Sequence, residues 1–278
     1  MYRILVSAQS GFIVSYLQRL ISNLCPSSDD YWEFFSYRCF DPSTLAFDEY
    51  DLLIDIGSPT PLNCSSPSYK HHLRAVTTIY SCVSIRNTLF ISSVSEFGKT
   101  SGIINEYTKT NPNCAYAEMK TAVKIIHKRH AINCSTHFLS GIAGKGMPET
   151  FMKRFVGEVL RDGYSTSIYD YSQLFNGCYR VDSYVEELLN DSLAIAAGQS
   201  VCDRIVHSSS PKTWAALTNV VRLASLKYEV PLKFDNTADC PKSIIFKSQT
   251  FSPRCTTSET LQYILSSIIP DIQCSNIT

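Results

Sequence analysis

Apolar positions in the first half of the chain follow two alternating patterns. Short continuous runs rich in β-branched and aromatic residues predict buried strands, and apolar positions three or four residues apart predict amphipathic helices. Strands are predicted at residues 2–6, 32–37, 52–56, 88–92 and 133–139. Helices are predicted at residues 12–22, 69–83 and 115–130. Strands that alternate with helices in this way are typical of a parallel sheet joined by crossover helices.

The pattern changes after Gly144, where a turn leads into a helix predicted at residues 149–160 and then into a stretch rich in tyrosine and serine. Capping and turn residues predict three later helices: near Asp182, from Pro211 to Leu226, and after the Thr256/Thr257 cap to Ile268. We therefore predict an α/β fold, in which a doubly wound parallel sheet is followed by a smaller C-terminal α+β lobe packed on it. The division is expected near residue 145, and a segment at about 176–204 returns to the sheet.

The composition is that of a folded protein, with 44% hydrophobic and 18% charged residues among 278. Basic and acidic side chains number 25 each and form no long runs, so no broad attraction to nucleic acid or to an anionic membrane is expected. No apolar stretch approaches the roughly 18 residues of a membrane span, and the first residues lack the features of a secretion signal. We therefore expect a cytoplasmic protein that binds neither nucleic acid nor membranes.

Eleven cysteines are dispersed along the chain, and no two have CxxC spacing. An odd number without paired spacing argues against a disulfide framework and against zinc, so we interpret them as reduced and mostly buried thiols. The six histidines form no helix-spaced metal pair with acidic neighbours, and His127 and His130 are expected to be solvated at a helix end. No metal site is predicted.

The first strand, turn and helix have the order of a phosphate-binding turn. Unpaired amides and the positive end of a helix meet there, which suits a diphosphate. Glycines usually occupy three spaced positions of such a turn, but here these are Ala8, Gly11 and Val14. Ser7 and Ser10 could donate to phosphate oxygens instead. The turn predicts a Rossmann-type dinucleotide site, and a strand-turn-helix that binds no ligand remains the alternative.

The end of the second strand suggests which dinucleotide is bound. NAD-binding domains place an acidic side chain there to hold the ribose 2′-hydroxyl, but this chain has Ser36, Tyr37 and Arg38. A hydroxyl and a guanidinium suit the 2′-phosphate of NADP, because arginine can bind it through two charge-assisted hydrogen bonds. A preference for NADP(H), with NAD(H) possible, is therefore predicted. The alternative is a solvated arginine at a strand end.

A third pattern points to acid-base chemistry. Tyr116 and Lys120 are four residues apart on a predicted helix, so they share one face. A neighbouring lysine favours the phenolate form and makes the tyrosine a usable acid or base. The strand before this helix ends in the serine pair Ser92–Ser93, which could hydrogen-bond a substrate oxygen. A tyrosine and lysine at this spacing are often only a helix surface, but the order of turn, serine strand and helix is far more specific.

Taken together, these motifs resemble the extended short-chain dehydrogenase/reductases that act on nucleotide sugars, the NAD-dependent epimerase/dehydratase family. The segments that carry the resemblance are "ILVSAQSGFIVSYLQRLI", "LLIDIGSP", "HLRAV", "ISSVSEFG" and "YAEMK", with "CYRVDSYVEELL" and "FSPRCTTSETLQYIL" further on. The similarity covers nearly the whole chain, and the motifs are good as far as Lys120. It implies a dinucleotide-binding domain at 1–145, a mainly substrate-binding lobe at 146–278, and a homodimer through the helix at 115–130.

The resemblance implies a role for each matching residue. Tyr116 would give a proton to the substrate oxygen or take one from it, Lys120 would bind the nicotinamide ribose and tune the tyrosine, and Ser93 would polarise the carbonyl. Tyr116 and Lys120 therefore also count as cofactor contacts. The other residues implied to bind the cofactor are Ser7, Ser10, Gly11, Phe12, Ile13, Ser36, Arg38, Gly57 and Ser58.

Departures from the family pattern narrow the reaction. Dehydratases carry an Asp-Glu pair after the catalytic serine or threonine, where this chain has Val94 and Ser95. The family usually has an arginine near the nucleotide diphosphate, where this chain has Asn176, and Arg180 could either replace it or be a strand surface residue. The prediction is an NADPH-dependent reductase of a 4-keto-(6-deoxy) sugar linked to a nucleoside diphosphate, with Ser93, Asn176 and Arg180 contacting the substrate.

Three alternatives to the reductase stay open. The first is a nucleotide-sugar epimerase that retains its cofactor through the cycle. The second is a non-catalytic relative that binds a dinucleotide as a sensor or scaffold, which the altered glycine turn favours and the survival of all three catalytic residue types opposes. The third has lost cofactor binding and uses its lobes for partner contact.

Overall fold

The computed structural model describes residues 1–24, 29–59, 66–98, 101–225 and 243–268. These residues form two compact units. The first, called the sheet unit, comprises residues 1–98, 106–139 and 185–205, and the second, called the lobe unit, comprises residues 99–105, 140–184 and 206–278. The division of function between them that the sequence predicts stays a prediction.

The sheet unit is built on six strands. They are β1 (Arg3–Val6), β2 (Tyr31–Phe34), β3 (Glu49–Asp55), β4 (Ser84–Ser93), β6 (Asn133–Leu139) and β10 (Arg204–Val206). Their order across the sheet is β10-β6-β4-β3-β1-β2, and the five strands from β2 to β6 pair in parallel. The predicted α/β fold with a Rossmann-type parallel sheet is confirmed.

The strand order reverses beside β1. The chain passes from β1 to β2 on one side and then returns to β3 on the other, so β1 pairs with both. Helices that leave neighbouring strands in opposite directions open a crevice at the carboxyl ends of those strands, where ligands of such sheets bind. The turns after β1, β2 and β3 therefore border this crevice.

The described helices of this unit each bury apolar side chains. They are α1 (Phe12–Leu24), α2 (Ser66–Cys82), α3 (Ala115–His130) and most of α5 (Val181–Ala196). One cluster of the core joins Leu5 and Leu53 of the sheet to Val76 of α2 and Val123 of α3, all with no exposed surface. Burial of this apolar area, at roughly 25 cal/mol per Å², is what holds α2 and α3 against the strands.

Among its described residues, the lobe unit contains short paired strands and three helices. The strands are β5 (Gly102–Ile104), β7 (Ile142–Ala143), β8 (Leu174–Phe175), β9 (Tyr179–Arg180), β11 (Lys212–Thr213) and β12 (Ile244–Phe246). The helices are α4 (Phe151–Asp162), α6 (Trp214–Ser225) and α7 (Thr257–Ile268). Trp214 packs against the rings of Phe151, Phe155 and Phe175, which gives this unit an aromatic core. No helix among the described residues has the length and apolar character needed to cross a bilayer.

The bounds of several elements differ from the predicted ones. β2 ends at Phe34, because Ser36 accepts a hydrogen bond from the Arg38 amide and caps a short 3-10 turn at Tyr37–Cys39. β4 begins four residues before its predicted start, at Ser84. The predicted helix end at Leu226 lies outside the described residues, as do Cys25, Cys64, Cys240 and Cys274. Cys82, Cys114, Cys134, Cys178, Cys202 and Cys255 are free thiols.

Candidate active site

The turn after β1 presents a helix N-terminus at the carboxyl end of the sheet. α1 begins at Phe12, directly after Gly11, whose φ of 140° is a conformation that a side chain would strain. A Cβ at Gly11 would meet no atom within 4 Å, so this glycine is needed for the backbone conformation and not for packing. Val14 is 2% exposed and does not line the neighbouring cavity. The substitution of the third glycine is thus absorbed by the core.

Ser7 ties this turn to the end of β3. Its hydroxyl donates to the Asp55 carboxylate at 2.6 Å and accepts from the amides of Ile56 and Gly57, each at 2.9 Å. These contacts occupy the hydroxyl that the sequence assigned to a phosphate oxygen. Ser7 therefore links the turn after β1 to the end of β3, and its predicted contact with the cofactor stays a prediction.

Gly57 allows the turn after β3 to approach the backbone of Ser7 closely. A Cβ there would lie 1.7 Å from the Ser7 carbonyl oxygen, a distance at which one of the two backbones must move. We expect Gly57→Ala to lower the free energy of unfolding by about 1–3 kcal/mol or more, as overpacked sites do. It should weaken dinucleotide binding as well, because the phosphate turn shifts with Ser7.

A matched control is Gly157→Ala in α4, where the added Cβ meets no atom within 4 Å. A helical glycine of this kind should gain roughly 0.5–1 kcal/mol on substitution by alanine. Denaturant unfolding of both variants measures the two effects. A Gly57 variant as stable as the Gly157 variant would contradict the close approach.

One cavity of about 320 Å³ opens at the crevice that the topology marks. Its wall comes from residues 7–10 after β1, 36–38 after β2, 57–59 after β3 and the first two turns of α2. It brings together Ser7, Ser10, Ser36, Arg38, Gly57 and Ser58 of the predicted cofactor residues. Gly11, Phe12 and Ile13 follow the wall at the start of α1. Among the described residues, no Asp or Glu lines this cavity, whereas Arg38, His71 and His72 do.

A buried polar network lies beneath this cavity, and sequence reasoning missed it. Asp55 and His127 have at most 1% exposed surface, and His127 Nε2 lies 2.7 Å from Asp55 Oδ2. His127 Nδ1 is 2.7 Å from the Tyr80 hydroxyl, which in turn is 2.7 Å from Thr88. Burial alone raises the pKa of Asp55, but the hydrogen bond and charge interaction with His127 outweigh it and lower that pKa to about 2.

The prediction that His127 is solvated is therefore wrong. The residue lies one turn before the end of α3, on the face that packs on the sheet. The helical spacing of His127 with Lys120 and Val123 could have revealed this, since all three are buried on α3. His130 is exposed as predicted and stacks on the Tyr80 ring.

α3 brings Tyr116 and Lys120 to β4. Lys120 is only 3% exposed, and its Nζ donates to the carbonyl oxygen of Ile91 at 2.7 Å. The same Nζ lies 5.8 Å from the centre of the Tyr116 ring, one helical turn away. Ile91 stands two residues before Ser93 in β4, so the buried ammonium is held beside the strand that ends in the predicted catalytic serine.

Ser93 ends β4 and caps a 3-10 turn at Val94–Phe97. Its hydroxyl oxygen accepts from the Ser95 amide at 3.2 Å and from the Ser95 hydroxyl at 3.0 Å. Both contacts leave the Ser93 proton free to be donated to another acceptor. The next turn residue, Gly98, adopts the left-handed conformation with φ of 58°, which ends the 3-10 turn.

Glu96, in the 3-10 turn after Ser93, connects β4 to α3, the helix that carries Tyr116 and Lys120. Its carboxylate has no exposed surface and accepts from Ser92, from the Thr121 hydroxyl at 2.8 Å and from Lys124 Nζ at 2.6 Å. Thr121 and Lys124 belong to α3, whereas Ser92 ends β4. Sequence reasoning missed the ion pair of Glu96 with Lys124, because nothing in the spacing links these two positions.

The two substrate residues predicted in the lobe unit have other partners. The Asn176 side chain is 1% exposed, donates to the carbonyls of Ser208 and Phe246, and accepts from the Phe246 amide. Arg180 forms two hydrogen bonds to Asp182 and stacks over Tyr263 at 4.5 Å. These contacts connect segments of the lobe unit, and the predicted contact of both residues with substrate stays a prediction without support from this geometry.

Comparison with known proteins bears on the whole arrangement. Residues 49–170, which include β3, β4 and α3, match the model of the "NAD dependent epimerase/dehydratase family". A search of curated protein sequences finds no significant match. The family resemblance that the sequence motifs predict is therefore confirmed over this part of the chain.

Solved structures extend the comparison to the fold. UDP-glucuronic acid 4-epimerase from Bacillus cereus, in complex with NAD, superposes with a TM-score of 0.66 at 16% identity over 96% of this chain and 98% of that one. The dTDP-glucose 4,6-dehydratase from Bacillus anthracis, also with NAD, gives 0.69 at 13% over 98% and 97%. RMD from Pseudomonas aeruginosa, complexed with NADPH, gives 0.64 at 16% over 98% and 100%. The chain thus resembles the NAD dependent epimerase/dehydratase family in sequence at residues 49–170 and shares the fold of these solved enzymes over nearly all of its length.

Proposed function

We propose that this protein is an NADPH-dependent reductase of a 4-keto-(6-deoxy) sugar carried on a nucleoside diphosphate, acting in the cytoplasm as a homodimer. The observation that carries the proposal is the buried Lys120, whose Nζ lies between the Tyr116 ring and the strand that ends in Ser93. A buried lysine next to a tyrosine, hydrogen-bonded to a strand that ends in a serine, supplies the groups that can protonate a carbonyl oxygen during hydride transfer.

The residues at the crevice fit the adenosine and phosphate end of NADP(H). Ser10 lines the cavity and α1 begins two residues after it, which suits a diphosphate, and Ser36 and Arg38 supply a hydroxyl and a cation for a 2′-phosphate. The lack of a lining carboxylate among the described residues removes the group that would hold a 2′-hydroxyl and repel that phosphate. When bound, the dinucleotide supplies the hydride.

The chain itself handles the proton and the orientation of the substrate. Ser93, whose hydroxyl proton is not used by Ser95, donates to the carbonyl oxygen of the sugar and polarises it. Tyr116 gives that oxygen a proton, and the positive charge of Lys120 favours the phenolate that remains. Lys120 would also hold the nicotinamide ribose of the bound dinucleotide.

The choice between cofactors can be tested at Arg38. We expect Arg38→Ala to weaken NADPH binding by roughly 10- to 100-fold, because a charge-assisted contact to phosphate is worth about 1.5–3 kcal/mol. NADH binding should change by less than about threefold. Fluorescence titration of both cofactors measures this, and Arg74→Ala, an exposed arginine of α2 outside the cavity wall, is the control. Equal weakening of NADPH and NADH would contradict the contact with the 2′-phosphate.

The reaction itself is tested by single turnover. Purified protein loaded with NADPH is mixed with a panel of nucleoside diphosphate ketosugars, and the loss of NADPH absorbance is followed. Oxidation of bound NADPH by a 4-keto sugar supports the reductase. Binding of NADPH without oxidation by any ketosugar would instead favour a sensor or scaffold, and no binding would point to a protein that has lost its cofactor.

An epimerase is the second candidate, because a 4-epimerase is among the solved structures with this fold. Val94 and Ser95, in place of an Asp-Glu pair, disfavour a dehydratase but leave both remaining reactions open. An epimerase would interconvert nucleotide sugars with no net oxidation of NADPH or NADH. Chromatography of the sugar products therefore separates the two candidates.

A further inference from the structure

His72 lines the cavity and carries a buried ring nitrogen, Nε2, that has no hydrogen-bond partner among the described residues. The residue stands in the second turn of α2 and is 3% exposed. A buried polar atom left unpaired costs about 1–3 kcal/mol, and such atoms are rare in folded proteins. The atom is therefore a candidate contact for a ligand.

The surroundings of His72 keep it uncharged. Burial lowers the pKa of His72 to about 4, although Asp55 opposes this, and Lys120, His127 and His71 add to the lowering. The imidazole also packs edge-on against the Tyr37 ring, with 4.9 Å between the ring centres. Burial and the nearby Asp55 raise the pKa of Tyr37 well above its ordinary value. His72 and Tyr37 form the part of the cavity that we call the inner wall. At neutral pH this inner wall therefore presents an uncharged imidazole and an uncharged phenol.

The inner wall thus differs in chemistry from the outer part of the cavity. Arg38 is an exposed cation, whereas Asp55 and Lys120, the charged groups that act on His72, are buried. Phosphates therefore belong near Arg38 and the α1 N-terminus. In a doubly wound sheet the turn after β1 takes the diphosphate and the end of β2 takes the ribose. The part of the dinucleotide left to contact His72 of α2 is therefore an uncharged part of the adenosine.

We propose that His72 Nε2 hydrogen-bonds the uncharged nucleoside end of the bound dinucleotide, through the adenine ring or the ribose attached to it. This inference rests on the proposed function, because it takes a dinucleotide as the occupant of the cavity. It makes His72 a determinant of affinity for NADPH and NADH alike. In this it differs from Arg38, which selects between the two cofactors.

The test compares His72→Phe with the wild-type protein. Phenylalanine keeps a ring against Tyr37 but has no atom that can replace Nε2. Calorimetric titration with ADP-ribose, NADPH and NADH should show about five- to tenfold weaker binding for all three, the size of one hydrogen bond. His72→Gln, whose amide can reach the place of Nε2, should stay within threefold of wild type. His130→Phe, an exposed histidine of α3, is the control and should bind all three as wild type does.

A second arm separates the two parts of the nucleoside. ADP-ribose is compared with its hypoxanthine analogue, in which the exocyclic amine is replaced by a carbonyl. A smaller loss for the hypoxanthine analogue in His72→Phe assigns the contact to the base, and an equal loss assigns it to the ribose. Either result supports the proposal.

Unchanged affinity of His72→Phe for ADP-ribose would overturn the inference, provided that circular dichroism shows a folded protein. If that variant does not fold, the comparison of His72→Leu with His72→Gln replaces it, and equal affinities then overturn the inference. A wild-type protein that binds none of the three probes would instead sink the proposed function. The two failures are therefore distinguishable.

Discussion

Replacing Tyr116 by phenylalanine is expected to lower turnover by roughly 10²- to 10⁴-fold and to leave NADPH affinity within about threefold. The substitution removes the phenolic proton and keeps the ring, which is half-buried against the core cluster. A positioned acid or base contributes a factor of this size to proton transfer. Single-turnover oxidation of bound NADPH by a 4-ketosugar measures the first quantity, and fluorescence titration measures the second.

Tyr169→Phe is the matched control, because this tyrosine is 99% exposed and does not line the cavity. Its turnover should equal that of wild type. An unchanged rate in Tyr116→Phe would remove this tyrosine from catalysis. A loss of NADPH binding as large as the loss of turnover would assign it a structural part in the cofactor site instead.

Replacing Lys124 by methionine is expected to lower the free energy of unfolding by about 3–5 kcal/mol. Methionine keeps the length and apolar stem, but Glu96 is then a buried carboxylate with no cation beside it. Breaking a buried ion pair by removing one partner has a cost of this size, because the remaining charge stays desolvated. Denaturant unfolding at neutral pH measures the change.

The double variant Glu96→Gln/Lys124→Met should recover most of that loss. Glutamine retains an acceptor for Ser92 and Thr121, and neither charge is left buried alone. The exposed pair Glu149 and Lys153 in α4 is the matched control, since Lys153→Met should change stability by less than about 1 kcal/mol. Additive losses at positions 96 and 124 would show that the buried pair contributes no coupling.

The pattern of the sequence was sufficient for the order of elements and for the local motifs. Short continuous runs and apolar positions at helical spacing depend on each segment alone, which is why α3 (Ala115–His130) and β6 (Asn133–Leu139) have their predicted bounds. The positions of four residues follow in the same way from single elements: Gly11 precedes α1, Ser93 ends β4, and Tyr116 and Lys120 lie on α3. A strand end and a helix face are properties of a few neighbouring residues.

The sequence pattern was less reliable where side chains decide between two local conformations. The prediction extends β2 to Tyr37, because an aromatic run favours a strand. Instead Ser36 caps a 3-10 turn, and Tyr37 points its ring at His72 of α2. A hydroxyl that competes for a backbone amide ended the strand, and the run of apolar letters does not reveal that competition.

What the sequence determined by itself was the parallel α/β sheet, the glycine turn after β1 and the helix face that Tyr116 and Lys120 share, because each rests on spacing within one segment. Only the tertiary structure decided that Glu96 meets Lys124, that Asp55 meets His127, and that His72 Nε2 has no hydrogen-bond partner among the described residues. These partners are 28 and 72 residues apart in the first two cases. The physical reason is that the burial and pairing of a polar side chain depend on which distant elements pack over it.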